Sequence, residues 1–586
     1  MTGVVADAEI LNRGLPRIEQ GSFPVGYYVE NFLVLLNQVD TTYSTILSKA
    51  EKSFSVQFRR FSTDAQRLFV RLICRKGPQF RNDRLNYSEI TSVKLAAKEL
   101  AAEKFLSIGL ALDTMDQDTL DHQIRELLTK LTKPELLQWF SAYLVAVPKI
   151  ALHKKMDLVE TILSRCDIAQ IMELVTAKFE IYSPLKSDEV LVYRLLFFGN
   201  LRQDLSEFVV ADLGHLLYES YSLSENTRLF RGRKALDTLL SSYKLSKCFY
   251  AMRSLQNNSV FRRKTQAIVD QLKSIALNNK VDILALRRKD RLINSIAREY
   301  ERRGHLRLAV KTYNLAHSPP ARERKARIYL RLKYYSACLK QCNEIKCNQP
   351  SQYEIIFLEQ FVPLLQKKMG KPVSAKKRGD IPVDKVTLVN VNNQKIEQLV
   401  LNDYTTNGGK GYFVENQFVL GLFGLAFWEV IFMPVEGAFF NAFQRGPVNM
   451  FTTEFYQQRK TKIKDQLGYI LATSSWSDEM LVLYDRKYGI ANYFTNWKVF
   501  TREMLENALR LMSRQHLVGI FDTLVRDVHT YRSGFPDLVL FDREANTYQL
   551  VEVKGPGDSL QASQRRWFKH FLRMGIPCKI TRVDYA

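Results

Sequence analysis

The sequence has little of what marks secreted or membrane-spanning proteins. Its 586 residues include only seven cysteines, too few for a disulfide framework, which indicates a reducing compartment. The longest apolar stretch, Phe418 to Phe432, contains Glu429 and is better explained as a buried core helix than as a membrane span. The N-terminus has neither a basic flank nor an apolar run, so no signal peptide and no membrane partner are expected.

Clusters of zinc ligands are also missing. Cys338, Cys342 and Cys347 stand close together, yet no histidine or fourth cysteine lies nearby in the sequence. Their spacing of four and five is typical of ordinary helix residues, although three cysteines alone leave a metal-binding alternative open. No Cys/His quartet lies near the N-terminus, so no zinc finger is expected there.

Acidic residues are few relative to basic ones. Lys and Arg number 85 against 61 Asp and Glu, which gives a net charge of +24. This excess indicates a polyanionic partner, either nucleic acid or an acidic membrane surface, and the lack of a spanning apolar stretch weakens the membrane option. The hydrophobic fraction of 46% and the charged fraction of 25% are ordinary for globular proteins, so disorder does not explain the charge. At roughly 100 to 200 residues per domain, the length predicts several domains.

Helical periodicity dominates up to about residue 380, since apolar residues recur at three and four while Gly and Pro are sparse. Amphipathic runs at Tyr27–Leu47 and Thr63–Lys76 predict a helical DNA-binding domain over 1–120. Residues Ile124–Val145 read as helix, Lys-Pro break, helix. This shape predicts a SAP-like DNA-binding module over 121–200, with a plain helical hairpin as the alternative.

A basic segment with a repeat pattern follows. Between Lys280 and Lys340 there are 17 Lys or Arg and five Asp or Glu, so half of the net charge lies there. The spacing of a tetratricopeptide (TPR) unit is matched by Tyr300, Gly304, Ala309, Tyr313 and Ala316, with Ala337 as a degenerate second copy. We predict TPR-like repeats over 201–366 with an anion-binding face; a merely solvated basic face is the alternative.

The character of the chain changes after residue 366. Lys, Gly and Pro without apolar periodicity predict a linker over 367–400, for which a bipartite nuclear signal is an alternative interpretation. Two β-branched runs, Asp537–Phe541 and Tyr548–Lys554, flank a turn and predict a hairpin. With helices on both sides, they predict a C-terminal α/β domain over 401–586.

Three ionisable residues fall on this hairpin. Glu552 and Lys554 are two apart, so both side chains project from one face of a strand while Val553 faces the other way. Asp537 on the adjacent strand is then within reach of Glu552. Two carboxylates and an ammonium form a site for a hard cation such as Mg²⁺ or Mn²⁺, with the lysine placed to hold a water. A structural salt bridge is the alternative.

These motifs resemble a known nuclease family. The segments GFPDL, LVEVKGPGDSL and Q-x-x-W (Gln564, Trp567) are similar to the VRR-NUC branch of the PD-(D/E)xK nucleases. The stretch Val414 to Pro447 resembles the segment that precedes this module in the Fanconi-associated nuclease family. YYVENFLVLL and STDAQRLFVRLICRK, near the N-terminus, extend the likeness over almost the whole chain.

The resemblance implies specific roles for residues. It implies that Asp537 bridges the metal ions, that Glu552 and the carbonyl of Val553 ligate metal, and that Lys554 completes catalysis. It places the additional acidic ligand at Glu415, which otherwise reads as an N-terminal helix residue favoured by the helix dipole.

Several residues are candidates for DNA contacts. Arg532 and Gln564 flank the motif and are candidate phosphate contacts. Members of the family bind a 5′-terminal phosphate through basic residues of the repeats, and Arg322, Arg324 and Arg327 are the candidates here, on a loose local match.

The expected fold is an all-α N-terminal and TPR-like region followed by an α/β PD-(D/E)xK nuclease domain. The resemblance implies a divalent-metal-dependent, structure-specific DNA nuclease with 5′ flap endonuclease and 5′ to 3′ exonuclease activity, in interstrand crosslink repair. One or two Mg²⁺ or Mn²⁺ ions, flapped or branched DNA, and no small-molecule cofactor are expected; self-association on DNA stays open. The alternatives are a four-way-junction resolving nuclease and a non-catalytic DNA-binding scaffold. The compartment would be the cytoplasm or nucleoid in bacteria and the nucleus in eukaryotes.

Overall fold

The computed structural model describes residues 25–585 except 76, 110–116, 146, 206–216, 222, 224–227, 276–282, 349, 373–380, 390–393 and 407–408. The chain divides into two compact units at residues 209 and 210. The first unit therefore spans both of the predicted N-terminal domains, and the second contains the repeats together with the α/β domain.

The first unit is mainly helical. Its helices are α1 (Tyr27–Tyr43), α2 (Lys49–Arg60), α3 (Thr63–Cys74), α4 (Val93–Ala102), α5 (Gln117–Lys130), α6 (Lys133–Trp139), α7 (Ser141–Leu144), α8 (Lys155–Arg165), α9 (Ile168–Thr176) and α10 (Ser187–Phe198), with 3₁₀ turns at Asn82–Arg84 and Ile150–Leu152. The hydroxyl oxygens of Ser48 and Ser62 accept backbone N–H groups at the starts of α2 and α3. Stacked and edge-on phenylalanine rings, among them Phe32, Phe54 and Phe105, form the core beneath these helices.

A small sheet departs from the all-helical expectation for this unit. It consists of β1 (Phe80–Arg81), β2 (Leu106–Ile108) and β3 (Ile181–Pro184) in the antiparallel order β1-β3-β2. Strands of two to four residues are too short to show alternation, so the sequence pattern does not predict them.

The predicted Lys-Pro break coincides with the start of α6. Thr132 accepts the backbone N–H of Glu135 there, and Pro134 occupies the first turn, where it costs no hydrogen bond. Buried side chains of α5, α6, α8 and α9 share one apolar cluster, so this segment is larger than a two-helix hairpin.

The repeat region consists of α11 (Arg233–Met252), α12 (Asn258–Ser274), α13 (Ile283–Arg302), α14 (Leu306–Tyr313), α15 (Ala321–Arg331), α16 (Tyr335–Cys347) and α17 (Gln352–Lys368). The residues at the repeat spacing are in its core: Tyr300, Ala309 and Tyr313 are completely buried. Gly304 has φ +81° in the turn between α13 and α14, where a residue without Cβ is favoured. Cys338 and Cys342 are buried in α16 as free thiols.

The remaining elements form the α/β domain and a helical insert. They are β4 (Val383–Leu388), α18 (Ile396–Thr406), β5 (Lys410–Phe413), α19 (Gln417–Ala426), α20 (Trp428–Phe432), α21 (Thr453–Ala472), α22 (Trp476–Lys487), α23 (Arg502–Leu511), α24 (Arg514–Arg526), α25 (Val528–Tyr531), β6 (Leu538–Asp542), β7 (Thr547–Lys554), α26 (Ala562–Met574) and β8 (Cys578–Tyr585). The five-stranded sheet has the order β4-β8-β7-β6-β5. Its β4/β8 and β8/β7 pairs are parallel, whereas β7/β6 and β6/β5 are antiparallel.

The predicted linker over 367–400 is too long. From Val383 the chain pairs with β8 as strand β4, and α18 begins at Ile396, so both elements belong to the α/β domain. The strand was hidden because it is an edge strand with mostly exposed side chains and therefore lacks an apolar signature.

The helices α19 to α25 lie between β5 and β6. The apolar run at 418–432 forms α19 and α20, whose side chains are almost all buried in the main core, as predicted. The side chain of Glu429 is 73% exposed, which explains how a charge is tolerated in this run. Over the described residues, we find no helix with the length and apolarity required to cross a bilayer.

Candidate active site

Asp537 and Glu552 lie next to each other on the hairpin of β6 and β7. Leu538 pairs with Val551 in the antiparallel register, so the next position outward places Asp537 opposite Glu552. The backbone N–H of Val553 donates to Oδ2 of Asp537 at 2.9 Å. The hairpin predicted from the sequence therefore forms, and it brings the two carboxylates together.

The carboxylate of Glu552 is completely buried, and only one of its two oxygens has a hydrogen-bonding partner among the described residues. Burial raises the pKa of its carboxyl to about 7, with a further contribution from the charge of Asp537. Among the described residues, its Oε2 has no hydrogen-bond partner. A buried carboxylate oxygen without a partner is costly unless a cation or donor satisfies it. The residues present therefore fit a divalent cation beside Asp537.

The other oxygen of Glu552 is firmly held. Nζ of Lys554 lies 2.6 Å from Oε1, which confirms that the two side chains share one face of β7. The side-chain amide of Gln564, from the first turn of α26, donates to the same oxygen at 2.5 Å. Gln564 thus contacts a carboxylate of the site. The sequence predicts a contact between Gln564 and DNA phosphate.

Asp537 is surrounded by further acids. Burial raises the pKa of its carboxyl, the N–H of Val553 and the charge of Lys554 oppose this shift, and the charges of Glu397 and Glu415 reinforce it. Glu397 lies in the first turn of α18. It is not among the site residues predicted from the sequence, because it falls in the range predicted as linker. The helical periodicity of the residues after Ile396 was the signal that would have found it.

Glu415 joins the site through its backbone. The N–H groups of Val414 and Glu415 both donate to the carbonyl oxygen of Asp537, at 2.9 and 3.0 Å. Its side chain is exposed, and its φ of +41° is unusual for a residue with a Cβ. Across the described ranges, no three Asp, Glu, His or Cys side chains form a ready-made metal cage, so Glu415 does not converge on the other two carboxylates as a closed ligand set.

Arg532 lies just before the motif turn, residues 534–537, and is exposed. Its guanidinium stacks on the ring of Phe451, 4.6 Å from the centroid. An exposed arginine that lies over an aromatic ring can still donate N–H groups to a phosphate.

The three arginines predicted to bind a 5′-phosphate are engaged in ion pairs within the repeats. Arg322 makes a bidentate contact with Glu354, at 2.7 and 2.6 Å. Arg324 pairs with Glu301, and Arg327 lies 2.6 Å from Glu323. All three acids are buried. The phosphate role of the arginines stays a prediction, and these internal contacts weigh against it.

Family models and related proteins match this chain. The family model "FAN1, HTH domain" matches residues 26–107, and the VRR-NUC domain model matches residues 473–585. The Fanconi-associated nuclease 1 homolog of Pseudomonas aeruginosa is 30% identical over 566 residues, which cover 95% of this chain and 96% of that protein. The homolog of Arabidopsis thaliana is 26% identical and covers 95% of this chain, which spans 67% of the plant protein.

Two solved structures have the same fold over nearly the whole chain. A crystal structure of paFAN1 bound to 2-nt 5′ flap DNA with a gap superposes with a TM-score of 0.84 at 28% identity, and covers 97% of this chain and 100% of that one. A second, with a 1-nt 5′ flap, has a TM-score of 0.80 and covers 96% and 100%. The likeness extends over both compact units.

Proposed function

The chain belongs to the Fanconi-associated nuclease family and is a structure-specific DNA nuclease; from this we propose that it cuts 5′ flap DNA, as an endonuclease and as a 5′ to 3′ exonuclease, in interstrand crosslink repair. The observation that carries the proposal is the buried Glu552 beside Asp537, with one glutamate oxygen that has no protein partner among the described residues. The similarity to paFAN1 structures bound to 5′ flap DNA supports the choice of substrate.

The family implies dependence on a divalent metal, and we propose Mg²⁺ or Mn²⁺ held by four groups. These are the carboxylates of Asp537, Glu552 and Glu415 and the backbone carbonyl of Val553. Oxygen ligands without histidine or thiolate favour hard cations. A bound divalent ion supplies Lewis-acid polarisation of the scissile phosphate and neutralises developing negative charge.

The protein groups around the pair keep it charged and oriented. Lys554 lies 2.6 Å from Glu552 and lowers the pKa of that carboxyl, so it favours the ionised form that binds cations. We assign Lys554 the further role of holding the attacking water. Gln564 fixes the rotamer of Glu552 by donating to the oxygen that Lys554 also contacts.

Most of the proposed contacts with DNA phosphates lie in the repeat helices, away from the residues that cut the strand. Five cations of the basic segment, residues 280–340, are exposed and, within the described part of the chain, make no ion pair: Arg307, Lys311, Arg331, Lys333 and Lys340. Phosphate contacts of this kind position a duplex without reading its sequence. We assign the grip to these residues, and to Arg532 near the site.

Replacing Asp537 by Asn tests the assignment. The amide oxygen of Asn still accepts the N–H of Val553, but the charge is lost. Mn²⁺-dependent cleavage of a labelled 5′ flap should fall by about a thousandfold or more, because several kcal/mol of charge stabilisation is removed. The affinity for DNA in EDTA should not change.

Asp542→Asn is the matched control. This residue ends the same strand, and its Oδ1 accepts two turn N–H groups, a role that Asn retains. Full cleavage by the Asp537→Asn variant would contradict the site assignment. Faster cleavage of a four-way junction than of a 5′ flap by the wild type would instead overturn the substrate assignment.

A further inference from the structure

Asn416 lies where three segments of the site meet. It follows Glu415 and immediately precedes helix α19, so it occupies the N-cap position of that helix. Asparagine at an N-cap ordinarily accepts an N–H of its own helix through its side chain. Here the side chain makes no such bond.

The side chain of Asn416 instead contacts the motif turn, 118 residues away. Its Oδ1 accepts the backbone N–H groups of Gly534, at 2.9 Å, and Phe535, at 3.1 Å. These two residues lead directly into Pro536 and Asp537. One oxygen therefore joins the segment that carries Glu415 to the segment that carries Asp537.

The conformation of Glu415 requires such support. Its φ of +41° is disfavoured for any residue with a Cβ, and it persists only where the surroundings determine it. The N–H groups of Val414 and Glu415 are fixed on the carbonyl of Asp537. Without the bonds from Asn416, these two backbone contacts alone would have to hold the turn.

The same turn packs closely against the start of α26, the helix that contains Gln564. Gly534 has φ +93°, and a Cβ there would lie 2.6 Å from the backbone carbon of Ser563 and 2.8 Å from the backbone nitrogen of Gln564. Gln564 in turn donates to Glu552. Contacts therefore run from Asn416 through the turn to all three carboxylates proposed as ligands.

We propose that Asn416 is a positioning residue that fixes Glu415 relative to Asp537 and thereby sets the affinity of the site for its divalent cation. This inference rests on the proposed function, since it takes Glu415 and Asp537 to be ligands of one cation site. Asn416 acts through the backbone of the motif turn.

The test compares Mn²⁺ binding by full-length variants without DNA, measured by isothermal titration calorimetry. Asn416→Leu has a similar volume and no acceptor, and its Mn²⁺ affinity should fall by about 10- to 100-fold, as for other residues that orient metal ligands. Asn416→Asp retains an oxygen for the two N–H groups and should bind Mn²⁺ close to wild type. Asn496→Leu is the matched control, because Asn496 donates to the neighbouring Gln417 but does not contact the motif turn.

Two further measurements separate positioning from folding. Asn416→Leu should still unfold cooperatively in EDTA, with a thermal midpoint lowered by the loss of the two hydrogen bonds, and its affinity for 5′ flap DNA in EDTA should equal that of wild type. The inference is overturned if Asn416→Leu binds Mn²⁺ as tightly as wild type, or if Asn416→Asp loses as much affinity as the Leu variant. If the wild type binds Mn²⁺ but cuts no 5′ flap, the proposed function fails while the effect of Asn416 on Mn²⁺ affinity is still measured.

Discussion

At the scale of single residues, the ionisation of Glu552 is subject to opposing influences. It is 0% exposed, contacts one cation through Oε1 and leaves Oε2 without a partner among the described residues. Burial and the nearby Asp537 favour its neutral form, whereas Lys554 favours the charged form. The balance places the pKa of Glu552 near neutrality, so that a bound cation would compete directly with a proton.

The ionisation of Glu552 should make the stability of the metal-free protein depend on pH. Because the folded pKa of about 7 exceeds the ordinary value of 4.5, the residue contributes stability below pH 4.5 that is lost as pH rises through 7. Relative to Glu552→Gln, wild type in EDTA should lose on the order of 1 to 3 kcal/mol between pH 4.5 and 8. Urea unfolding of both variants measures this; parallel stability curves would contradict it.

At the scale of secondary-structure elements, the turn before β6 packs closely against the start of α26. Gly534→Ala adds a Cβ that meets the backbone of Ser563, and it does so at a positive φ. Unfolding should be easier by on the order of 1 to 3 kcal/mol, and cleavage should fall because α26 carries Gln564. Gly489→Ala is the matched control. Gly489 has a φ of +83°, and no atom lies within 4 Å of the added Cβ, so this variant measures the destabilisation caused by the positive φ without a clash. Equal losses in both variants would exclude the clash.

The ion pairs of the repeat helices should stabilise the fold. Arg322→Ala leaves the 1%-exposed carboxylate of Glu354 without its guanidinium, which should cost about 3 to 5 kcal/mol in thermal or urea unfolding. Arg331→Ala, at the exposed end of the same helix, should leave stability unchanged and weaken DNA binding. The reverse result, with Arg322→Ala fully stable and defective only in DNA binding, would restore the phosphate role predicted for Arg322.

Over the whole molecule, the net charge of +24 is distributed unevenly. In the basic segment, Lys280 lies outside the described residues, and seven arginines pair with acids: Arg287, Arg298, Arg302, Arg303, Arg322, Arg324 and Arg327. Two of those acids, Glu354 and Glu454, come from outside the segment. The surface available to DNA therefore carries less charge than the sequence count indicates.

The five exposed, unpaired cations of the basic segment should contribute strongly to the salt dependence of DNA binding. Replacing Arg307, Lys311, Arg331, Lys333 and Lys340 together by Gln should lower the slope of log K against log salt by about 0.9 for each phosphate that the protein no longer neutralises. Fluorescence anisotropy with duplex and 5′ flap DNA at several salt concentrations measures the slope. An unchanged slope would assign the grip to other cations.

Local periodicity was enough to predict much of the C-terminal domain. The period of two placed Glu552 and Lys554 on one face of a strand, and the hairpin turn placed Asp537 opposite Glu552, because these contacts depend on short stretches of chain. The position of Glu415 came from the resemblance to a family, since no local pattern links it to residues more than a hundred positions away. The edge strand β4 was not predicted, because most of its side chains are exposed and show no apolar pattern.

The sequence by itself determined the family, the helical and α/β regions and the hairpin that carries the proposed site, since composition, periodicity and motif spacing are local properties. Only the tertiary structure decided which charges are available, because Arg322 and Glu354 are 32 residues apart and meet through helix packing. It also decided that Asn416 faces the motif turn instead of capping its own helix. Long-range pairings of this kind depend on how elements pack, and the physical properties of neighbouring residues do not encode them.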